Sequence, residues 1–308
     1  MFDESRIFRH ELADRGELSP AQWGAIEKTV ANLTVESKKE GGRIDTKSFI
    51  GVEPYTEEGI KKDEAEVSRL EEEFKTDEAG NKEAAQIRKA AEALELMLWH
   101  HGELQNWFGE NTHTILTSRY DDIKNKVDIV LEIVSRTEMG EVAHHAALAI
   151  DATFSTNPED KFRSIKREID NGELSTIKYF HSENPSIHGR LSKIPRVVIG
   201  SSLVDVARLS QLTNTIAEDA GMNKNLAKKA LQEHPIQYEI LEQIRFQLVQ
   251  YEAYVKKYSK GEDTLPRIQT VRRVIEFLIK NKQKPKKEEP EESYSTTRLK
   301  AAVESVFS

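Results

Sequence analysis

Arg119-Tyr-Asp-Asp-Ile-Lys-Asn-Lys-Val-Asp-Ile-Val-Leu-Glu132, followed by Ala149-Ile-Asp-Ala-Thr153, is the stretch that decides the fold. Residues 127–133 and 146–155 are apolar, β-branched or small, and read as strands. Side chains alternate across a strand, so Asp128, Val130 and Glu132 share one face, while Val127, Ile129, Leu131 and Ile133 take the other. Asp151 and Thr153 share a face in the second strand. Each strand therefore carries an acid inside an apolar run. A carboxylate there is costly unless it is paired, hydrogen-bonded or bound to a metal. If the strands are neighbours, Asp128 and Asp151 converge on one cation, the local chemistry of a Mg²⁺ (or Mn²⁺) site. The alternative for Asp128 is a strand-end acid paired with Lys124 or Lys126. Asp121 and Asp122, just upstream, are either extra ligands or turn residues.

Outward from this stretch, residues 83–108 have the spacing of a long amphipathic helix. Residues 112–118, 176–182 and 195–202 read as further strands. Asn157-Pro158 starts a helix that Asn171-Gly172 ends. The expectation is an α/β (α+β) fold, a central mixed sheet of about five strands flanked by helices in αβββαβ order. Helices follow at about 203–217, 223–232 and 235–258. Three regions are expected. Residues 1–75 form a charged helical N-terminal extension, with Gly41-Gly42 inside a linker. Residues 82–260 form the α/β domain with its helical C-terminal part. Residues 264–308 form a helix and a charged tail, read as disordered from its lysine block followed by a glutamate block.

The chain has no cysteine, which excludes a disulfide scaffold, Cys-ligated zinc and a thiol nucleophile. Charged residues make up 32% and the net charge is −8, which argues against broad, non-specific coating of DNA. No apolar run is long enough to span a membrane, and the acidic start lacks a targeting pattern, so a cytoplasmic protein is expected. Neither a phosphate-cradling glycine motif nor a GxSxG elbow occurs. His100-His101 and His144-His145 are adjacent pairs that point apart, and are read as structural rather than metal-binding.

The element order and the acids at 128 and 151 resemble the PD-(D/E)XK, or restriction-endonuclease-like, nuclease superfamily over about residues 83–202. The resemblance implies a metal-dependent endonuclease hydrolysing DNA phosphodiester bonds, with Mg²⁺ or Mn²⁺ held by Asp128 and Asp151. Asp122 assists, and Glu95 is the helical glutamate. Thr153 stands where the motif has lysine. A replacement cation is expected from Lys161 or Lys166 on the following helix or from Lys178 on the next strand, with Lys166 taken here. Arg190, Lys193 and Arg196, in an acid-free stretch, are expected to contact the DNA backbone. The stripe Ile240, Ile244 and Leu248 packs either on the core or on a second subunit, since many members of this superfamily are homodimers. Without a replacement lysine the chain would be an inactive nuclease-like module for DNA binding or protein interaction.

Overall fold

The computed structural model describes residues 18–39, 41–78, 81–109, 111–136, 142–154, 158–182, 187–218, 221–258, 261–282 and 293–308. Residues 1–17 and most of the charged tail, 283–292, lie outside this set, as do the side chains of His144 and His145.

Among the described residues the helices are α1 (Pro20–Lys39), α2 (Glu57–Glu78), α3 (Lys82–Leu104), α4 (Glu159–Asp170), α5 (Leu203–Glu218), α6 (Met222–Gln232), α7 (Ile236–Tyr258), α8 (Leu265–Asn281) and α9 (Tyr294–Phe307). The strands are β1 (Thr112–Leu116), β2 (Ile129–Arg136), β3 (Val142–Thr153), β4 (Ser175–His181), β5 (His188–Ile194) and β6 (Arg196–Gly200). None of the described helices is long and apolar enough to cross a membrane.

The central sheet runs β1-β2-β3-β6. The first three strands are antiparallel, and β6 lies parallel to β3 after the α4 crossover. It holds four strands, not about five. Among the described residues β4 and β5 pair only with each other, as a hairpin between α4 and β6. The reason is packing. Ile177, Phe180 and Ile194 of the hairpin bury themselves against Ile115, Val130 and Ala149, so the hairpin covers a face of the sheet instead of extending its edge. The opposite face, with Leu116, Ile129, Leu131, Leu148 and Ile150, joins the main helical core. A buried sheet with both faces covered explains why β3 and β6 read as apolar runs with little alternation.

Gly102 lets α3 lie close on β1, since a Cβ there would sit 2.6 Å from the Thr114 side chain. On the far edge, α7 stands in for a fifth strand. Val198 N–H donates to Gln247 Oε1 (2.8 Å) and Gly200 N–H to Gln243 Oε1 (3.0 Å). The two amide groups return hydrogen bonds to Val198 O (2.6 Å) and Gly200 O (3.0 Å). The edge of β6 is thereby closed. Ile240, Ile244 and Leu248 are buried in the same core, so that stripe is spent within the chain and is not a dimer face. Residues 294–307 also depart from expectation. They form α9, which seats Val303 and Phe307 against α7 and α4 rather than trailing as a tail.

Candidate metal centre

The β2–β3 pairing sets the site. Ile129 faces Ile150, so one step further Asp128 lies across from Asp151 at the strand ends. Asp128 N–H donates to Ile150 O (2.9 Å), and Asp128 Oδ2 accepts from Ala152 N–H (2.7 Å). Upstream, Asp121–Asn125 is a wide π-type turn closed by Lys126 N–H on Asp121 O, with Lys126 in the left-handed region. Such turns are frequent at functional sites. This one separates two neighbouring acids. Asp121 points inward and Asp122 points toward Asp128. Glu95, on the buried face of α3, completes the group. Oxygens of Glu95, Asp122 and Asp128 all lie within 4.8 Å of one another.

These acids and Asp151 line one cleft of about 960 Å³. Four of its cations sit against these acids or their partners. Arg43 pairs with Glu95 and lies 3.6 Å from Asp122. Arg119 pairs with Asp122 and, at 2.7 Å, with Glu71. Lys161 of α4 pairs with Asp151 (2.5 Å). Arg196 Nη1 lies 4.0 Å from Asp151 Oδ2.

The electrostatics follow from crowding four carboxylates in a half-dry cleft. Burial pushes the Asp128 carboxyl well above the ordinary carboxylate range, and the charges of Asp122, Glu95 and Asp151 push it further, against Lys161. Burial, with Asp122 nearby, raises Glu95 to about 7 despite its Arg43 partner. Burial works against the charge of Arg119, but Asp122, Glu71 and Glu95 outweigh it and hold the guanidinium ionised.

Of the residues expected from sequence, Glu95, Asp122, Asp128 and Asp151 meet in the cleft. Lys166 does not. Its Nζ donates to Val306 O (2.7 Å) and lies over the Tyr254 ring, because position 166 faces α9 and α7. Lys178 is also elsewhere, paired with Asp63. Of the three candidate lysines, the one in the cleft is Lys161, in the first turn of α4. Arg196 lines the cleft but is not an exposed phosphate arm. It opens the buried strand β6, is 2% exposed, and is held by Glu168 and Ser164. Arg190 and Lys193 are exposed on β5, and Lys193 borders a separate cavity of about 370 Å³ beside α8. His101 is buried with Nε2 2.9 Å from Thr213 Oγ1. Burial depresses it to about 3, so it is a neutral structural histidine.

Arg43 and Arg119 gave no chemical signal in the sequence. Arg43 belongs to the segment read as linker, yet Gly42 is a contact residue. A Cβ on Gly42 would sit 2.1 Å from the Trp99 ring. The glycine lets the chain press against α3, pair Ile44 N–H with Leu116 O (3.1 Å) and swing Arg43 into the cleft. The Gly41-Gly42 pair directly before Arg43 was the available clue.

No family model, curated protein or solved structure matches the chain.

Proposed function

We propose that the protein is a metal-dependent hydrolase of DNA phosphodiester bonds. The observation that carries this reading is the convergence of Glu95, Asp122 and Asp128 within 4.8 Å, beside an Asp151–Lys161 pair, in a single cleft. The donor set is all carboxylate oxygen, which suits a hard divalent cation. Oxygens on opposite sides of one Mg²⁺ stand about 4.2 Å apart, and on Ca²⁺ about 5 Å. The three acids are therefore already near the spacing one ion requires. The reading also draws on the four-stranded sheet, in which three antiparallel strands are followed, after α4 and the β4–β5 hairpin, by a parallel fourth.

In this reading Asp128, Asp122 and Glu95 hold Mg²⁺ or Mn²⁺, with Asp151 alongside. An ion held there would supply Lewis acidity and make water more acidic. Lys161 takes the role that Thr153 cannot. Its ammonium, fixed by Asp151, offers a positive charge to the oxygens on which negative charge builds during attack. Arg43 and Arg119 orient Glu95 and Asp122 and balance the acids before the ion arrives.

A second reading, an inactive nuclease-like module, draws on Thr153 in the motif position. Two measurements separate the readings. Calorimetric titration with Mg²⁺ or Mn²⁺ should show binding that Asp128→Asn abolishes. A cleavage assay on DNA should lose its product in Asp151→Asn. Metal binding without any cleavage on a broad set of DNA substrates favours the module, and no metal binding with DNA present sinks the hydrolase.

A further inference from the structure

Resting on the hydrolase reading, we infer that the cleft admits an unpaired DNA strand and excludes a duplex, with Phe74 as the base-stacking residue. The first ground is depth. Asp151 and Glu95 are only 5% and 8% exposed and Asp122 and Asp128 are half-buried, so the reacting phosphate must enter the cleft. A volume of about 960 Å³ is at the upper end for a small-ligand pocket. A duplex is a rod with a major groove alone about 12 Å wide, and proteins that bind one specifically cover roughly 1,000–2,500 Å². A single strand is thin enough to thread.

The second ground is α2, which borders the cleft and is fastened along one face. Asp63 pairs with Lys178 and accepts from Tyr179 Oη (2.5 Å). Glu66 pairs with Lys124 (2.5 Å), and Glu71 with Arg119 (2.7 Å). These anchors tie the helix to β4 and to the π-type turn that carries Asp122. The next position along that face is Phe74, half-buried and lining the cleft, with the Arg88 guanidinium 5.5 Å from its ring centre. An aromatic ring capped by arginine beside exposed Lys38 is the combination that holds single strands, in which bases stack and phosphates meet cations. The anchors also mean that the helix does not swing aside without breaking three ion pairs.

The test is fluorescence anisotropy of the full chain with a labelled oligothymidylate of about 15 nucleotides and with a blunt duplex of equal length, in Ca²⁺ to limit cleavage. The single strand should bind at least about tenfold more tightly than the duplex. Phe74→Ala should weaken single-strand binding by at least about fivefold, from the usual worth of one stacked base, and Phe74→Trp should restore it. Mg²⁺ calorimetry on the same samples should be unchanged in both variants. Equal or tighter duplex binding, an unchanged Phe74→Ala affinity, or no binding of either DNA overturns the inference. Loss of Mg²⁺ binding by the wild type would instead overturn the hydrolase reading, so the two failures are distinguishable.

Discussion

Asp121 and Asp128 lie within one connection, and both carboxyls are raised by burial, yet their surroundings differ in kind. Asp121 is fully buried and accepts from Lys178 N–H (2.6 Å), Tyr179 N–H (3.0 Å), Ser118 Oγ (2.7 Å) and Asn125 Nδ2 (2.5 Å). Its oxygens fill a bulge in β4, where the hairpin register shifts between Ile177 and Phe180. Asp128 takes one backbone hydrogen bond, from Ala152, and faces three other acids. The first carboxylate is satisfied by its own chain. The second has acceptor capacity left over and repulsive neighbours, so it gains from a ligand the chain does not supply. Burial alone does not mark a functional acid; incomplete satisfaction beside like charge does.

The contrast breaks most easily at Asp121. Asp121→Ala strands two buried N–H groups and should cost about 3 kcal/mol or more in unfolding free energy, read by urea denaturation. The next effect is on activity. Lys161→Met should lower cleavage by about a hundredfold, as removal of one charge-stabilising donor does elsewhere, with metal affinity retained. Lys161→Met at wild-type rate would remove this lysine from the mechanism.

The acid cluster should also show in pH dependence. Glu95 has an ordinary value of 4.5 and is raised to about 7 in the fold. Between these values the folded chain holds more protons than the unfolded one, so this contribution to stability is present below about pH 4.5 and is lost as pH rises through 7. His101 and His234, lowered to about 3 and about 4, act in the opposite sense in the acid range. The measurement is therefore the difference in stability between wild type and Glu95→Gln. It should decline by about 2 kcal/mol from pH 5 to pH 8, and saturating Mg²⁺ should flatten it. Asp128→Asn should stabilise the metal-free protein at pH 8 by about 1 kcal/mol, because one repelling charge goes and the Ala152 bond stays. The smallest effect belongs to Lys166. Lys166→Ala should lose about 0.5–1 kcal/mol with the Val306 bond and leave cleavage unchanged.

Much of this contrast was readable from residues. Alternation assigned Asp128 and Asp151 their faces, because a period of two survives in short apolar runs, but that the two strands pair came from the fold. Helices α3, α4, α5 and α7 announced themselves by spacing and caps. Strand β4 misled the strand count, since an alternating strand reads the same whether it joins a sheet edge or covers a sheet face, and β5 was not read as a strand. The choice between Lys161 and Lys166 depended on how far α4 rotates against α9, and α9 itself was hidden behind a charged segment. Arg43 was invisible because its position is set by contacts with α3 and β1, not by local pattern. Asp121 and Asp122 are adjacent and chemically identical, and only the π-type turn assigns one to the fold and one to the cleft.

The glutamine pair on α7 has a geometric consequence. Four residues of helix rise about 6 Å, and two residues of strand about 6.6 Å. Side chains at 243 and 247 therefore keep step with the outward-facing peptide groups of Val198 and Gly200 for one repeat. A primary amide carries both a donor and an acceptor, as a peptide group does, so the helix imitates one rung-pair of a neighbouring strand and then falls out of phase. Exchange of the Val198 and Gly200 amide protons thus reports the lifting of α7, not the fraying of the sheet.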